Sequence, residues 1–68
     1  MKPFELRLAE HHARNRRHLK NLENFVNDTA RFSRISEEEQ SLIEIQIGHM
    51  RALHTVLESR MIIHKIPV

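Results

Sequence analysis

The sequence predicts an all-α protein in which two long helices, joined by a short helical link, form an antiparallel hairpin that assembles into a helical homo-oligomer. Among the 68 residues there are one glycine, two prolines and no tyrosine or tryptophan, so turn formers and strand formers are scarce. Apolar residues recur at heptad spacing in both halves of the chain. A core this small needs support, and the absence of cysteine leaves oligomerisation as its expected source.

The first helix is predicted from about residue 4 to residue 26. Pro3 suits a first helical position, where the missing N–H is not needed, and Glu5 follows in the first turn, where the helix dipole favours an acid. The packing seam steps by four and three residues through Leu8, His12, Asn15, Leu19, Leu22 and Val26. Its polar members, His12 and Asn15, either set the register of packing or line a shared cavity with a polar occupant.

A link over residues 27–36 is predicted next. Asn27, Asp28 and Thr29 end the first helix, because all three side chains favour caps and turns over helix interiors. Phe32 and Ile35 are apolar residues within this link. We therefore expect them to dock onto the helices as a lid or a short helical turn.

The second helix is predicted over about residues 37–64, and it stops before Pro67. Ser36 and Glu39 have the spacing of a capping box, in which each side chain accepts from the other residue's backbone N–H. Gly48 in mid-helix predicts a close approach of another helix. The seam of this helix comprises Ile43, Ile47, Met50, His54, Leu57 and Met61.

The apolar face of the second helix is wider than one partner helix can cover. The residues that widen it beyond the seam are Leu42, Ile45, Leu53, Val56 and Ile62. A lone hairpin would leave this second face in water. We therefore expect one small helical domain over residues 1–68, and we expect it to assemble with copies of itself.

Enzyme signatures are missing, since there is no Gly-rich phosphate loop, no nucleophile elbow and no cysteine. We expect a non-catalytic protein without a cofactor. No two of the six histidines are four residues apart within one helix, so no metal ligand is assigned; a site assembled between subunits is the alternative. No apolar run approaches the roughly 18–20 residues of a membrane span, and charges interrupt the N-terminus, so we expect a soluble intracellular protein.

The most informative stretch is Glu10–Lys20, EHHARNRRHLK, where Glu10 is the only acid. Arginine and lysine without neighbouring carboxylates suit a phosphate, which arginine can grip through two N–H groups. The alternative is a solvated charged face, which accounts for most charge runs. Long nucleic acid is a weak candidate, because aromatic residues are scarce and no helix-turn-helix pattern is present.

Beyond the basic stretch, the chain resembles a known family of small phage proteins. The matching residues are Phe32, Ile35, Glu38, Glu39, Leu42, Ile43, Gln46, Met50, Leu57, Arg60 and Met61, joined by Leu22, Phe25 and Val26 at the end of the first helix. This pattern resembles the anti-CBASS type-two family of bacteriophages. The resemblance implies a compact helical hexamer that sequesters cyclic di- and trinucleotide messengers in the cytoplasm of the infected bacterial host.

The resemblance also implies ligand-binding positions. In the family an aromatic residue of the first helix stacks on a base, and a lysine and a threonine beyond that helix hold the phosphates. These positions fall near His12, Asn27 and Thr29, so a histidine replaces the aromatic ring and an asparagine replaces the cation. Neighbouring arginines such as Arg16 are expected to supply the charge, and Arg60 is a candidate contact for a separate cyclic-trinucleotide pocket.

The leading hypothesis is therefore non-catalytic binding of cyclic oligonucleotides, which antagonises CBASS immunity. The first alternative is a helical protein-interaction module of a phage, in which the broad face of the second helix docks a partner and the basic face is only solvated. The second alternative is weak binding of DNA or RNA, which would favour long polymers and weaken steeply with salt.

Overall fold

The computed structural model describes residues 1–68 and contains three helices. These are α1 (Pro3–Asn27), α2 (Thr29–Phe32) and α3 (Glu37–Ile63), and there is no strand. The molecule measures 45 × 15 × 15 Å, as two long helices side by side would. The all-α fold class is confirmed, and the predicted boundaries of both long helices agree with the structure to within about one residue.

Helices α1 and α3 pack antiparallel. Near the start of α1, the Phe4 ring lies edge-on to the His64 ring, with centroids 4.9 Å apart. Further along, the Asn15 side-chain amide donates to the Met50 carbonyl oxygen at 3.1 Å. Early residues of α1 therefore meet late residues of α3, which confirms the hairpin.

The N-termini of both long helices are capped by side chains. The Glu5 carboxylate accepts from the Lys2 N–H at 3.0 Å, and the Ser36 hydroxyl accepts from the Glu39 N–H at 3.1 Å. The reciprocal bond predicted from the Glu39 side chain to the Ser36 N–H is absent, so that half of the capping-box prediction is wrong. At the start of each helix, one backbone N–H that has no partner within the helix is hydrogen-bonded in this way.

The link folds back onto the hairpin as predicted. The Phe32 ring, at the end of α2, meets the Phe25 ring of α1 edge-on, with centroids 5.9 Å apart. The Gln40 side-chain amide of α3 donates to the carbonyl oxygens of Phe32 and Ile35 at 3.0 and 3.1 Å. Phe32 and Ile35 are half-buried, so the link is tied to both long helices.

The core lies along the two predicted seams. Its buried apolar residues are Leu8, Ile43, Ile47, Leu57, Met61 and Ile66. Two polar residues, His12 and Asn15, are buried beside them. All buried residues except Ile66 belong to the predicted seams, so the heptad reading of the packing face is confirmed.

The C-terminal segment returns to the core through a Schellman motif. Lys65 adopts a left-handed conformation with φ 57°. Its N–H donates to the Ile62 carbonyl at 3.0 Å, and the Ile66 N–H donates to the Met61 carbonyl at 2.9 Å. Ile66 is thereby packed with Leu8 and Met61. The sequence placed the end of α3 correctly but did not predict this contact.

Much of the apolar face of α3 remains in water. Leu42, Ile45, Val56 and Ile62 are each more than half exposed. The predicted excess of apolar surface is therefore present, and no element of the same chain covers it. Gly48 is also exposed, and a Cβ built there would meet no atom within 4 Å, so the predicted close helix approach is not made within the hairpin. No helix is both long and apolar enough to cross a membrane.

We expect Ile66→Ala to lower the free energy of unfolding by about 2–4 kcal/mol, because it removes buried apolar atoms and leaves a cavity against Leu8 and Met61. Chemical denaturation followed by circular dichroism at 222 nm at one fixed protein concentration measures the loss. The matched control is Val68→Ala, since Val68 is 62% exposed and should cost much less. Equal losses for the two variants would contradict the packing of Ile66.

We expect Gly48→Ala to raise the free energy of unfolding by about 1 kcal/mol, because alanine loses less conformational freedom in a helix and meets nothing here. The reverse change at a neighbouring exposed position, Ala52→Gly, should lower it by a similar amount. The same denaturation experiment measures both. A destabilising Gly48→Ala would mean that another helix packs closely against this position in the assembled protein.

Candidate anion-binding site

The basic side of α1 forms one wall of a groove of about 420 Å3, which we call the basic groove. Its cationic residues are Arg16, Arg17 and Lys20. The spacing of four between Arg16 and Lys20 puts them one turn apart on the same side of the helix. The groove is completed by Ala9, His12 and Ala13 of α1, by Met61 of α3, and by Pro67 and Val68 of the C-terminal segment. Cations thus lie beside an apolar wall.

A second groove of about 450 Å3 shares Arg16 and Lys20 with the basic groove. We call it the Asn27 groove. Its remaining lining residues are Leu19, Glu23, Asn24, Asn27 and His54. Arg16 and Lys20 therefore separate two concave surfaces, and a ligand in either groove would meet the same two cations.

The cations of these grooves have no carboxylate partner. Glu58 lies against His12 and His54, and Glu23 forms an ion pair with Arg51. The Arg51 pair, with 2.6 Å between the closest atoms, occupies the one acid of the Asn27 groove. Arg16, Arg17 and Lys20 are exposed and uncompensated, so an anion could bind them without displacing an ion pair.

The polar seam residues are partnered across the hairpin. The His12 ring stacks on the His54 ring with centroids 4.8 Å apart and an interplanar angle of 26°. His12 Nε2 lies 3.3 Å from Glu58 Oε1, while Asn15 binds the Met50 carbonyl. These contacts favour the reading in which His12 and Asn15 set the packing register, because each recognises a particular position of α3.

The structure brings together some of the predicted ligand-binding residues. His12 and Arg16 line the basic groove, and Arg16 and Asn27 line the Asn27 groove. Thr29 is exposed at the start of α2 and lines neither groove. Arg60 lines a separate groove of about 260 Å3 with Phe4, Arg7, Leu8 and His11. The role of Arg60 in a separate pocket stays a prediction.

His12 is less accessible than a stacking residue would be in an open groove. Its side chain is 7% exposed, and His54 covers one face of the ring. Within a single chain, therefore, only a small part of the imidazole is available to a base. The role of His12 in stacking stays a prediction.

Several lining residues were not singled out as ligand contacts from the sequence. Met61, Pro67 and Val68 reach the basic groove because the Schellman motif folds the C-terminal segment back, a turn that depends on a lysine in a left-handed conformation. The convergence of His54 and Glu58 did have a signal, since the two are four residues apart on α3. A spacing rule that counts His–Glu pairs as well as His–His pairs finds this one.

The hairpin and its uncompensated grooves define a small helical protein suited to binding an anionic ligand. The family model described as Sequestin matches residues 2–63, which include nearly all of α1, α2 and α3. The chain therefore belongs to the Sequestin family, the family of anti-CBASS cyclic-oligonucleotide sponges, and the resemblance seen in the sequence is confirmed. Members of this family bind and sequester and do not catalyse. Neither the curated proteins nor the solved structures contain a match.

Proposed function

We propose that this chain binds cyclic di- and trinucleotides in the cytoplasm of an infected bacterial host and sequesters them from CBASS effectors. It acts by stoichiometric binding, with no catalysis. Family membership supports this function. The structural observation that carries it is the uncompensated positive charge of Arg16, Arg17 and Lys20 beside two grooves.

The grooves suit a compact ligand that joins phosphates to bases. The guanidinium of Arg16 can donate two N–H groups to one phosphate, while Lys20 adds a second cation one turn away. Pro67 and Val68 are exposed and offer an apolar surface on which a base can lie. A cyclic dinucleotide presents both kinds of group within one small ring.

The remaining predicted contacts have assigned roles in this proposal. Asn27 donates its amide to a phosphate held by Arg16, and the Thr29 hydroxyl reaches the ligand from the start of α2. His12 contributes the edge of its ring to a base. Arg60, with Arg7 and His11 beside it, holds a cyclic trinucleotide in the separate groove.

We further propose that the chain assembles into a helical homo-oligomer, a hexamer, and that neighbouring copies complete the nucleotide sites. Exposed apolar area on α3 supports the assembly, including a groove of about 320 Å3 whose walls are almost wholly apolar. That groove is lined by Leu42, Ile45, Gln46, His49, Met50 and Leu53. Burying such a face in a second copy removes apolar surface from water at both chains.

The same apolar face supports the second candidate function, a protein-interaction module without a nucleotide ligand. In that case the face of Ile45 and Leu53 docks a helix of another protein, and Arg16 and Lys20 are only solvated. Binding of long DNA or RNA is the third candidate. Salt dependence separates it from the first, since a polymer contacts many phosphates and loses affinity steeply as salt rises.

We expect cyclic di- or trinucleotides to raise the melting temperature of the protein, because a ligand that binds only the folded state stabilises it by mass action. Linear dinucleotides serve as the control ligands in the same thermal-shift panel. Arg16→Ala should weaken binding by about 10- to 100-fold, the effect of losing hydrogen bonds to a charged group. Titration calorimetry measures this change.

Arg34→Ala is the matched control, since Arg34 is exposed, lies in the link and lines neither groove. It should leave the affinity unchanged. Thr29→Ala tests the phosphate contact without disturbing the core, because Thr29 is exposed. A flat thermal-shift panel would overturn the nucleotide proposal, and equal affinities for Arg16→Ala and Arg34→Ala would remove Arg16 from the site.

For the assembly, we expect multi-angle light scattering to give a mass several times that of one chain. Ile45→Lys should lower that mass, because a lysine in an apolar interface must be desolvated without a partner. Ala30→Lys introduces the same charge at an exposed position of α2, outside α3, and it should leave the mass unchanged. A wild-type mass of one chain would contradict the proposed assembly.

A further inference from the structure

Two imidazoles and one carboxylate converge between α1 and α3. His12 comes from α1, while His54 and Glu58 lie one turn apart on α3. Glu58 Oε1 is 3.3 Å from His12 Nε2 and 3.1 Å from His54 Nε2. One potential ligand atom from each of the three residues lies within 4.8 Å of the other two.

We propose that His12, His54 and Glu58 bind a divalent transition-metal ion, with zinc as the best match. Two imidazole nitrogens and one carboxylate oxygen form a recurrent ligand set for zinc, which takes a fourth ligand from water or another small molecule. Softer ions would favour cysteine, and calcium or magnesium would favour more oxygen atoms. Two imidazole nitrogens and one carboxylate oxygen therefore favour a divalent transition-metal ion such as zinc.

Two of the three ligand-atom spacings match a tetrahedral ion. Bonds of about 2.0–2.1 Å from zinc place neighbouring ligand atoms about 3.3–3.4 Å apart. The two nitrogen-to-oxygen distances, 3.3 and 3.1 Å, are close to that edge length, and the three ligand atoms all lie within 4.8 Å of one another. The two imidazole rings are stacked at 26°, so binding of an ion requires them to tilt towards a common point.

The burial of the three residues suits a site with one open side. The His12 side chain is 7% exposed, that of His54 is 27% exposed, and that of Glu58 is 39% exposed. His12, the most buried of the three residues, is therefore held in place by the core. The Glu58 carboxylate lies at the surface, from which an ion can enter. His54 Nδ1 is buried without a hydrogen-bond partner, and the other ring nitrogen, Nε2, lies 3.1 Å from Glu58 Oε1.

The neighbouring charges favour an anionic or polarised fourth ligand. Arg16 lines one groove with His12 and another with His54. A zinc ion bound to two neutral imidazoles and one carboxylate keeps a net positive charge, so a hydroxide or another small anion would be attracted to its open position. Such an anion would also lie near Arg16.

The ion would join the two long helices of a chain that has no disulfide. Since His12 is in α1 and the other two ligands are in α3, the bound ion closes the hairpin at its middle. A metal that binds the folded state and not the unfolded chain raises stability by mass action. For a chain of 68 residues with a small buried core, this is a recognised route to a stable fold.

The test is a zinc titration of the tag-free protein after removal of metal with a chelator, without nucleotide present. A chromogenic zinc chelator in competition reports affinity and stoichiometry, and thermal melting reports the shift in stability. We expect one zinc ion per chain and a raised melting temperature. Magnesium at the same concentration should leave the melting temperature unchanged.

His54→Gln and Glu58→Gln should each lower zinc affinity by at least about 100-fold, because even the loss of outer-shell partners costs up to that factor. The matched controls are His11→Gln on α1 and Glu44→Gln on α3, both exposed and outside the cluster. They should bind zinc as the unaltered protein does. Circular dichroism confirms that each variant keeps its helices, and His12 is left unchanged because its burial would confuse folding with binding.

Three outcomes would overturn the proposal. These are the absence of saturable zinc binding, unaltered binding by Glu58→Gln, and one ion per two chains, which would place the site between copies. His12 takes part in both proposals, so the zinc titration is done without nucleotide and the nucleotide proposal is tested separately through Arg16→Ala. Arg16→Ala, which should weaken nucleotide binding, keeps all three proposed metal ligands.

Discussion

The seam between α1 and α3 is the contact on which the rest of the molecule depends. One end of it is apolar, where Leu8 packs with Met61 and Ile66, and its middle is polar, where His12 and Asn15 meet α3. Burial of apolar side chains at this end stabilises the hairpin but does not fix the register of the two helices. The polar contacts in the middle fix the register, because the hydrogen bond from Asn15 to one carbonyl oxygen is lost if one helix slides along the other.

The same polar contacts explain why the grooves are positively charged. Glu58 contacts two histidines, and Glu23, which lines the Asn27 groove with Arg16 and Lys20, pairs with Arg51, so the acid beside these cations is already occupied. The cations of α1 are left to solvent or to a ligand. The positive charge of the grooves thus follows from the partners that Glu23 of α1 and Glu58 of α3 already have, as much as from the number of arginines on α1.

Most of the fold, but only part of the candidate site, could be predicted from the sequence. Heptad spacing located the seams, and Ser36 located the start of α3, because both signals are local. The return of Ile66 to the core could not be read from sequence, since it requires Lys65 in a conformation that glycine usually provides. Likewise His12 had a partner 46 residues away in Glu58, and only the antiparallel register brings the two together.

Two surfaces of the chain have opposite effects on its association with further copies. They are the exposed apolar face of α3 and the basic face of α1, whose cations lack carboxylate partners. Exposed Ile45 and Leu53 favour a further protein surface, whereas Arg16 and Lys20 repel a second copy of themselves. Both requirements are satisfied if copies associate through α3 and a polyanionic ligand binds between their basic faces. The negative charge of the ligand then offsets the repulsion between the cations that association brings close together. In the proposed assembly, ligand binding and association would then stabilise one another, because more than one copy would contact the same ligand.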